Sequence, residues 1–166
     1  MSVNTSNTHM TMNPNIITQA SAWNAATIKT YLSEGVLPCR MSCITSDGFP
    51  HVISLWYAYA DEEFLFSVQK NMLAVRWLQA EPRCGFEIAA DTQPYRGVRG
   101  RGTASVVPAR ERPVLDDLIE RYLDNEDSSL ARWLRSRPDS EMTIRVKPCW
   151  ITSWDFGARM GDSEKP

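Results

Sequence analysis

Histidine and cysteine are scarce in this chain, with two and four among 166 residues. His9 and His51 cannot build a histidine-rich metal site. No G-x-S-x-G elbow stands ready to pair with either of them, so serine hydrolysis is set aside. Long apolar runs are missing, and none approaches the ~18 residues of a membrane span. The N-terminus lacks a basic start followed by an apolar core, so no secretory signal is expected. An excess of positive charge is missing too. Eighteen Lys and Arg against twenty Asp and Glu leave a net charge of −2, whereas a nucleic-acid protein is usually strongly basic. The expectation is a soluble, cytoplasmic chain of one domain.

Cys39, Cys43, Cys84 and Cys149 are expected to be reduced, behaving as small buried hydrophobes. Cys39 and Cys43 lie in a segment with strand alternation, where four residues span roughly 13 Å. That is too far for one metal ion, and no metal site is expected. Aromatic residues, by contrast, are plentiful. Six Trp, five Tyr and five Phe suffice for a core and for a flat aromatic ligand.

Residues 1–16 are rich in Ser, Asn, Thr and Met without any period, and read as a disordered tail. Residues 21–34 read as a helix capped by Ser21 and ended by Gly35, with Ala25, Ile28 and Leu32 on one face. The period then becomes two. Residues 37–45 form a strand, Ser46-Asp47-Gly48 a hairpin turn, and 51–59 a return strand with apolar residues on both faces, expected to be central. Asp61-Glu62 marks a second turn before a strand over 64–68, completing a meander. A short helix over 71–80, capped by Asn71, ends before Pro82. Strands follow over 83–89 and 95–107, the second with glycines at 97, 100 and 102 that mark bulges or close approaches. Pro113 opens an amphipathic helix bearing Val114, Leu118, Ile119 and Tyr122. A shorter helix carries Leu130, Trp133 and Leu134. The last strand turns Met142, Ile144 and Val146 inward, breaks at Pro148 and continues extended. Residues 17–160 are thus one folded unit, and 161–166 a polar tail. Six mostly antiparallel strands with flanking helices make a mainly β (α+β) fold that closes as a small barrel, removing exposed edges.

The order of these elements, with several local motifs, resembles the pyridoxamine 5′-phosphate oxidase-like family, the FMN-binding split β-barrels. The resemblance runs over 21–160. It is carried by Cys39-Arg40-Met41-Ser42-Cys43-Ile44-Thr45 with Asp47-Gly48-Phe49-Pro50-His51-Val52, by Phe64-Leu65-Phe66-Ser67, by Leu78-Gln79-Ala80-Glu81-Pro82-Arg83, and by Tyr95-Arg96-Gly97-Val98-Arg99-Gly100-Arg101-Gly102. It implies a six-stranded antiparallel split β-barrel and a homodimer with FMN at the subunit interface. Ile53, Ser54, Leu55 and Trp56 would run beside the flavin ring. Ser67, Gln69, Lys70 and Asn71 would hold the phosphate with Arg76. Arg40, Tyr95 and Trp154 complete the implied cofactor-binding set.

One feature departs from the family pattern. Members commonly carry a lysine early in the helix after the third strand; counted back from Pro82 it falls on Ala74. Lys70 or Arg76 could replace it, and the departure leaves room for the deazaflavin coenzyme F420.

Three groups stay open between two roles. Arg96, Arg99 and Arg101 meet a cofactor phosphate or an acidic substrate, or they form a solvated or interface strand paired with Glu87 or Asp91. Trp56 and Tyr57 are a ring platform or core. Trp154, with Asp155 and Arg159, reaches the flavin or staples the C-terminal strand. The functional expectation is an FMN-dependent oxidoreductase acting on a small molecule, without a dedicated acid–base dyad. The alternatives are an F420-dependent reductase and a non-catalytic flavin- or haem-binding module.

Overall fold

The computed structural model describes residues 12–160. Seven strands form one antiparallel sheet: β1 (Cys39–Ile44), β2 (Pro50–Leu55), β3 (Ala58–Ala60), β4 (Glu63–Gln69), β5 (Arg83–Ala89), β6 (Arg96–Pro108) and β7 (Glu141–Asp155). Their order is β2-β1-β5-β6-β7-β4-β3. The helices are α1 (Ala25–Glu34), α2 (Leu73–Ala80), α3 (Leu115–Tyr122), α4 (Ser129–Arg135) and α5 (Gly157–Met160).

Alternation decides the inside. Cys39, Met41 and Cys43 of β1, Phe64 and Phe66 of β4, Cys84, Phe86 and Ile88 of β5, and Ile144 and Val146 of β7 all pack in one core. Ile28 and Leu32 from α1 and Ala74, Val75 and Leu78 from α2 join them. Each fully buried side chain of this size contributes about 1.5–3 kcal/mol.

The expected return strand over 51–59 is two strands at opposite ends of the sheet, which raises the count from six to seven. β2 is therefore an edge strand, not a central one, and no meander forms. The apolar residues on both faces have separate destinations. Val52 is 61% exposed, Trp56 joins a satellite cluster with Leu65, Val114 and Leu118, and Tyr57 enters the core. The Tyr57 hydroxyl donates to the Leu32 carbonyl at 3.0 Å. Only Trp56 and Tyr57 separate the two edge strands, so the edges meet at that corner, since three residue steps reach at most about 11 Å. No ladder joins them elsewhere, and the barrel is split. Asp61 and Glu62, both at positive φ (53° and 61°), make the tight β3–β4 turn.

Other boundaries shift for local reasons. Asn24 caps α1 through a bond from the Thr27 amide at 2.9 Å. Ser21 instead bonds the Ser153 hydroxyl at 2.8 Å. Asn71 caps nothing; Met72 holds the N-cap of α2 without a side-chain bond. On α4 only Ala131 is buried, while Leu130 and Trp133 stand exposed. Pro148 does not break β7. Gly102 pairs with Pro148 and Arg101 with Trp150, so Cys149 is the extra residue of a bulge, a place where a strand tolerates proline. Met12 lies at 2% exposure in the core, and Ile17 bridges Ile151, so the ordered chain starts before residue 16. Residues 1–11 and 161–166 lie outside the described ones.

Candidate functional site

β4 turns Phe64, Phe66 and Val68 inward and Leu65, Ser67 and Gln69 outward, where they meet outer residues of β7. Ser67 is opposite Thr143, and Gln69 opposite Glu141. The Ser67 hydroxyl donates to the Glu141 carboxylate. The Ser140 hydroxyl donates to Gln69 Oε1 at 2.5 Å, and the Lys70 amide to the Ser140 carbonyl at 2.8 Å. The segment expected to hold a phosphate is thus tied to residues 140 and 141. The side chains of Lys70, Asn71 and Arg76 remain exposed around it. Ala74 is 1% exposed and packs in the core. A lysine there would point inward, which leaves Lys70 and Arg76 as the exposed cations of the segment expected to hold a phosphate.

On β2, Ile53 and Leu55 pack against the core, while Ser54 is exposed opposite Arg40. β2 pairs only with β1, so among the described residues its other edge keeps free backbone donors and acceptors. Trp56 is not an open platform, since it stacks on Tyr122 of α3.

Tyr95 and Trp154 sit at the other end of the sheet. Trp154 pairs with Gly97, whose missing Cβ would meet the indole at 2.8 Å. The Arg99 guanidinium lies 5.3 Å from the centre of the Trp154 ring, and Arg101 lies 5.5 Å from that of Trp150. The described structure shows no ion pair from Arg99 to Glu87, although the two face each other in register. Tyr95 is 41% exposed, and its carbonyl accepts from the Phe156 amide at 3.1 Å.

Two sets of the expected site residues lie far apart along β7. Ser67 faces Thr143, and Trp154 lies eleven residues further along the same strand. At ~3.3 Å per residue that is roughly 36 Å of strand.

Sequence reasoning missed a cavity of ≈ 960 Å³ on the outer face of β4 and β7, beneath the first turn of α3. Ser67 and Thr143 line its floor, and Val114, Asp116 and Glu141 its walls. Of the expected site residues it contains Ser67 alone. Burial raises the Glu141 carboxyl above its ordinary range; the Ser67 hydroxyl opposes that shift, and Asp116 adds to it. The strand alternation put Glu141 on the face of Thr143, but its approach to Ser67 is a tertiary fact. Among the described residues no group of three His, Cys, Asp or Glu could hold a metal, and no helix is long and apolar enough to cross a membrane.

The chain belongs to the pyridoxamine 5′-phosphate oxidase family, whose sequence profile matches residues 24–151. A conserved hypothetical protein of Mycobacterium tuberculosis has the same fold, with a TM-score of 0.72 and 22% identity over 90% of this chain and 94% of that one. An F420 reductase follows at 0.59 and 23% identity, over 74% of this chain and 94% of its own. The haem storage protein HutZ of Vibrio cholerae matches at 0.58 and 15%, over 78% and 92%. No curated protein sequence matches the chain.

Proposed function

We propose that the protein is a homodimeric, cytoplasmic oxidoreductase that holds FMN between two copies of the chain and acts on a small molecule. The observation that carries this reading is the separation of the two groups of site residues along β7. A two-fold copy would lay Tyr95 and Trp154 of one chain over the Ser67–Lys70 end of the other. Four free cysteines agree with a reducing compartment.

The donors fit a flavin. The free edge of β2 offers backbone N–H and C=O groups to the polar rim of a planar ring. Ser67 and Gln69 stand on the outer face, and the exposed Lys70 and Arg76 supply cations for a phosphate. FMN when bound would accept or deliver a hydride. The chain's part is to bind, to orient and to exclude water.

One observation favours a second reading, in which F420 replaces FMN. The position of the usual phosphate lysine is Ala74, sealed in the core. A non-catalytic binding module is the remaining outcome.

An absorbance spectrum of the purified protein, repeated after incubation with FMN and with F420, tests the proposal. A yellow protein that bleaches with a reduced nicotinamide supports the FMN enzyme. Loading by F420 alone selects the second reading. A coloured protein inert to every reductant is a binding module. A colourless protein that takes up neither cofactor overturns both enzyme readings, and a monomer of 18.8 kDa by light scattering overturns the two-chain site.

A further inference from the structure

The cavity under α3 has a chemistry of its own. Its volume of ≈ 960 Å³ is at the upper end of small-molecule sites, which span ~300–1,000 Å³. Pro113, Val114 and Leu115 at the start of α3, with Pro108 and Pro138, make its walls largely apolar. Glu141 stands among these groups, half-buried. Its carboxylate accepts from the Ser67 hydroxyl; Arg137 acts on it through charge alone, since no ion pair among the described residues reaches it. A carboxylate that has lost water and gained one neutral donor is undercompensated, and a cation is what restores the balance.

The rim agrees in sign. Arg135 also lines the cavity, but Asp116 neutralises it at 2.7 Å. Asp117 and Asp139 line it with Arg110. With Glu141 and the nearby Arg137 included, the groups without an ion pair are three carboxyls against two guanidiniums. An anionic ligand is disfavoured by this balance. A bare metal ion is disfavoured as well, because the described residues bring together no group of three carboxylate, thiol or imidazole ligands.

We propose that this cavity binds a compact, largely apolar molecule carrying a protonated amine, with the ammonium against Glu141 and the apolar body between Pro113, Leu115 and Pro138. Within the oxidoreductase reading this is a substrate subsite reached from the Ser67 wall. The binding itself does not depend on that reading, since the amine site lies within one chain.

The test is a ligand-observed NMR titration of the full chain at pH 7.5 with two probes of equal shape, benzylamine and benzyl alcohol. The expected result is one benzylamine per chain, bound at least tenfold more tightly than the alcohol. Glu141→Gln keeps an acceptor for Ser67 and brings the two probes to parity. Leu115→Trp, on the half-exposed start of α3, fills the cavity and weakens both. Equal affinity of the two probes for the unaltered protein overturns the proposal, and that comparison stands whether or not the variants fold. Unchanged benzylamine affinity in a folded Glu141→Gln overturns it as well. The cofactor reading is scored separately on the same samples by absorbance. A flavin-loaded protein with no preference for the amine sinks this proposal alone, and a colourless protein that prefers the amine sinks the other alone.

Discussion

Trp56 lies flat on Tyr122, with ring centroids 5.1 Å apart and planes 3° from parallel. The contact joins the corner where the chain leaves β2 for β3 to the last turn of α3. The Tyr122 hydroxyl fixes the same corner. It accepts from the Tyr57 amide at 3.3 Å and donates to the Leu37 carbonyl at 3.1 Å. The corner is where two sheet edges meet, so its order decides whether β2 and β3 stay in place.

Tyr122→Phe keeps the stack and removes the hydroxyl. The Tyr57 amide and Leu37 carbonyl then lose their partner, and the expected loss is about 1–3 kcal/mol of stability. Trp56→Ala removes the stack and its burial and is expected to cost more. Urea unfolding checks both, and equal stability of Tyr122→Phe and the unaltered protein refutes the role given to the hydroxyl.

Arg121 ties α3 to the end of α1. One of its nitrogens donates to the Leu32 carbonyl at 2.6 Å and also to Gly35, and the guanidinium lies 4.7 Å from the centre of the Tyr57 ring. Arg121→Met leaves the Gly35 carbonyl without its donor and the Leu32 carbonyl with the Tyr57 hydroxyl alone. A loss of about 2–4 kcal/mol is expected on thermal or urea unfolding.

Gly100 fits where no side chain can. A Cβ there would stand 2.4 Å from the Phe86 ring and 2.5 Å from the Trp150 carbonyl. Gly100→Ala is expected to lower stability by about 1–3 kcal/mol, the cost of overpacking, because the ring and the strand must both shift. Gly48→Ala is a different case: it has open space, and its cost comes from the positive φ of 88°.

Burial holds the Glu141 carboxyl above its ordinary value near 4.5, so the folded chain keeps a proton that the unfolded chain has released. Stability from this group is therefore greatest at low pH. It falls as pH rises from about 4.5 through the folded value. Glu141→Gln removes that fall, so the variant gains on the unaltered protein across this interval. Unfolding free energies at several pH values check it, and a constant difference between the two proteins contradicts the assignment.

If Lys70 replaces the lysine missing at Ala74, Lys70→Ala weakens FMN binding by about 1–3 kcal/mol, the range for losing a charged hydrogen bond. A fluorescence titration reads it. An unchanged dissociation constant moves the phosphate contact to Arg76 or elsewhere.

Much of this molecule was legible in its sequence because much of its order is local. Alternation alone put Cys84, Phe86 and Ile88 on one face, and Ile144 and Val146 on another that meets it. The glycines at 97, 100 and 102 announced close approaches, and each has one. Local period determined which residues are inside, and the order of motifs determined the family. What the sequence could not assign was the destination of a strand after a corner. Residues 51–59 carry apolar side chains on both faces with no turn signal among them, yet the chain crosses from one edge of the sheet to the other at Trp56, where the indole lies on Tyr122 of α3. Nor could it bring Glu141 to Ser67 or turn Ala74 into the core. Those placements depend on pairing between segments far apart in the chain, which period and spacing do not encode. Tertiary structure decided them through burial and register, and with them the position of the cavity.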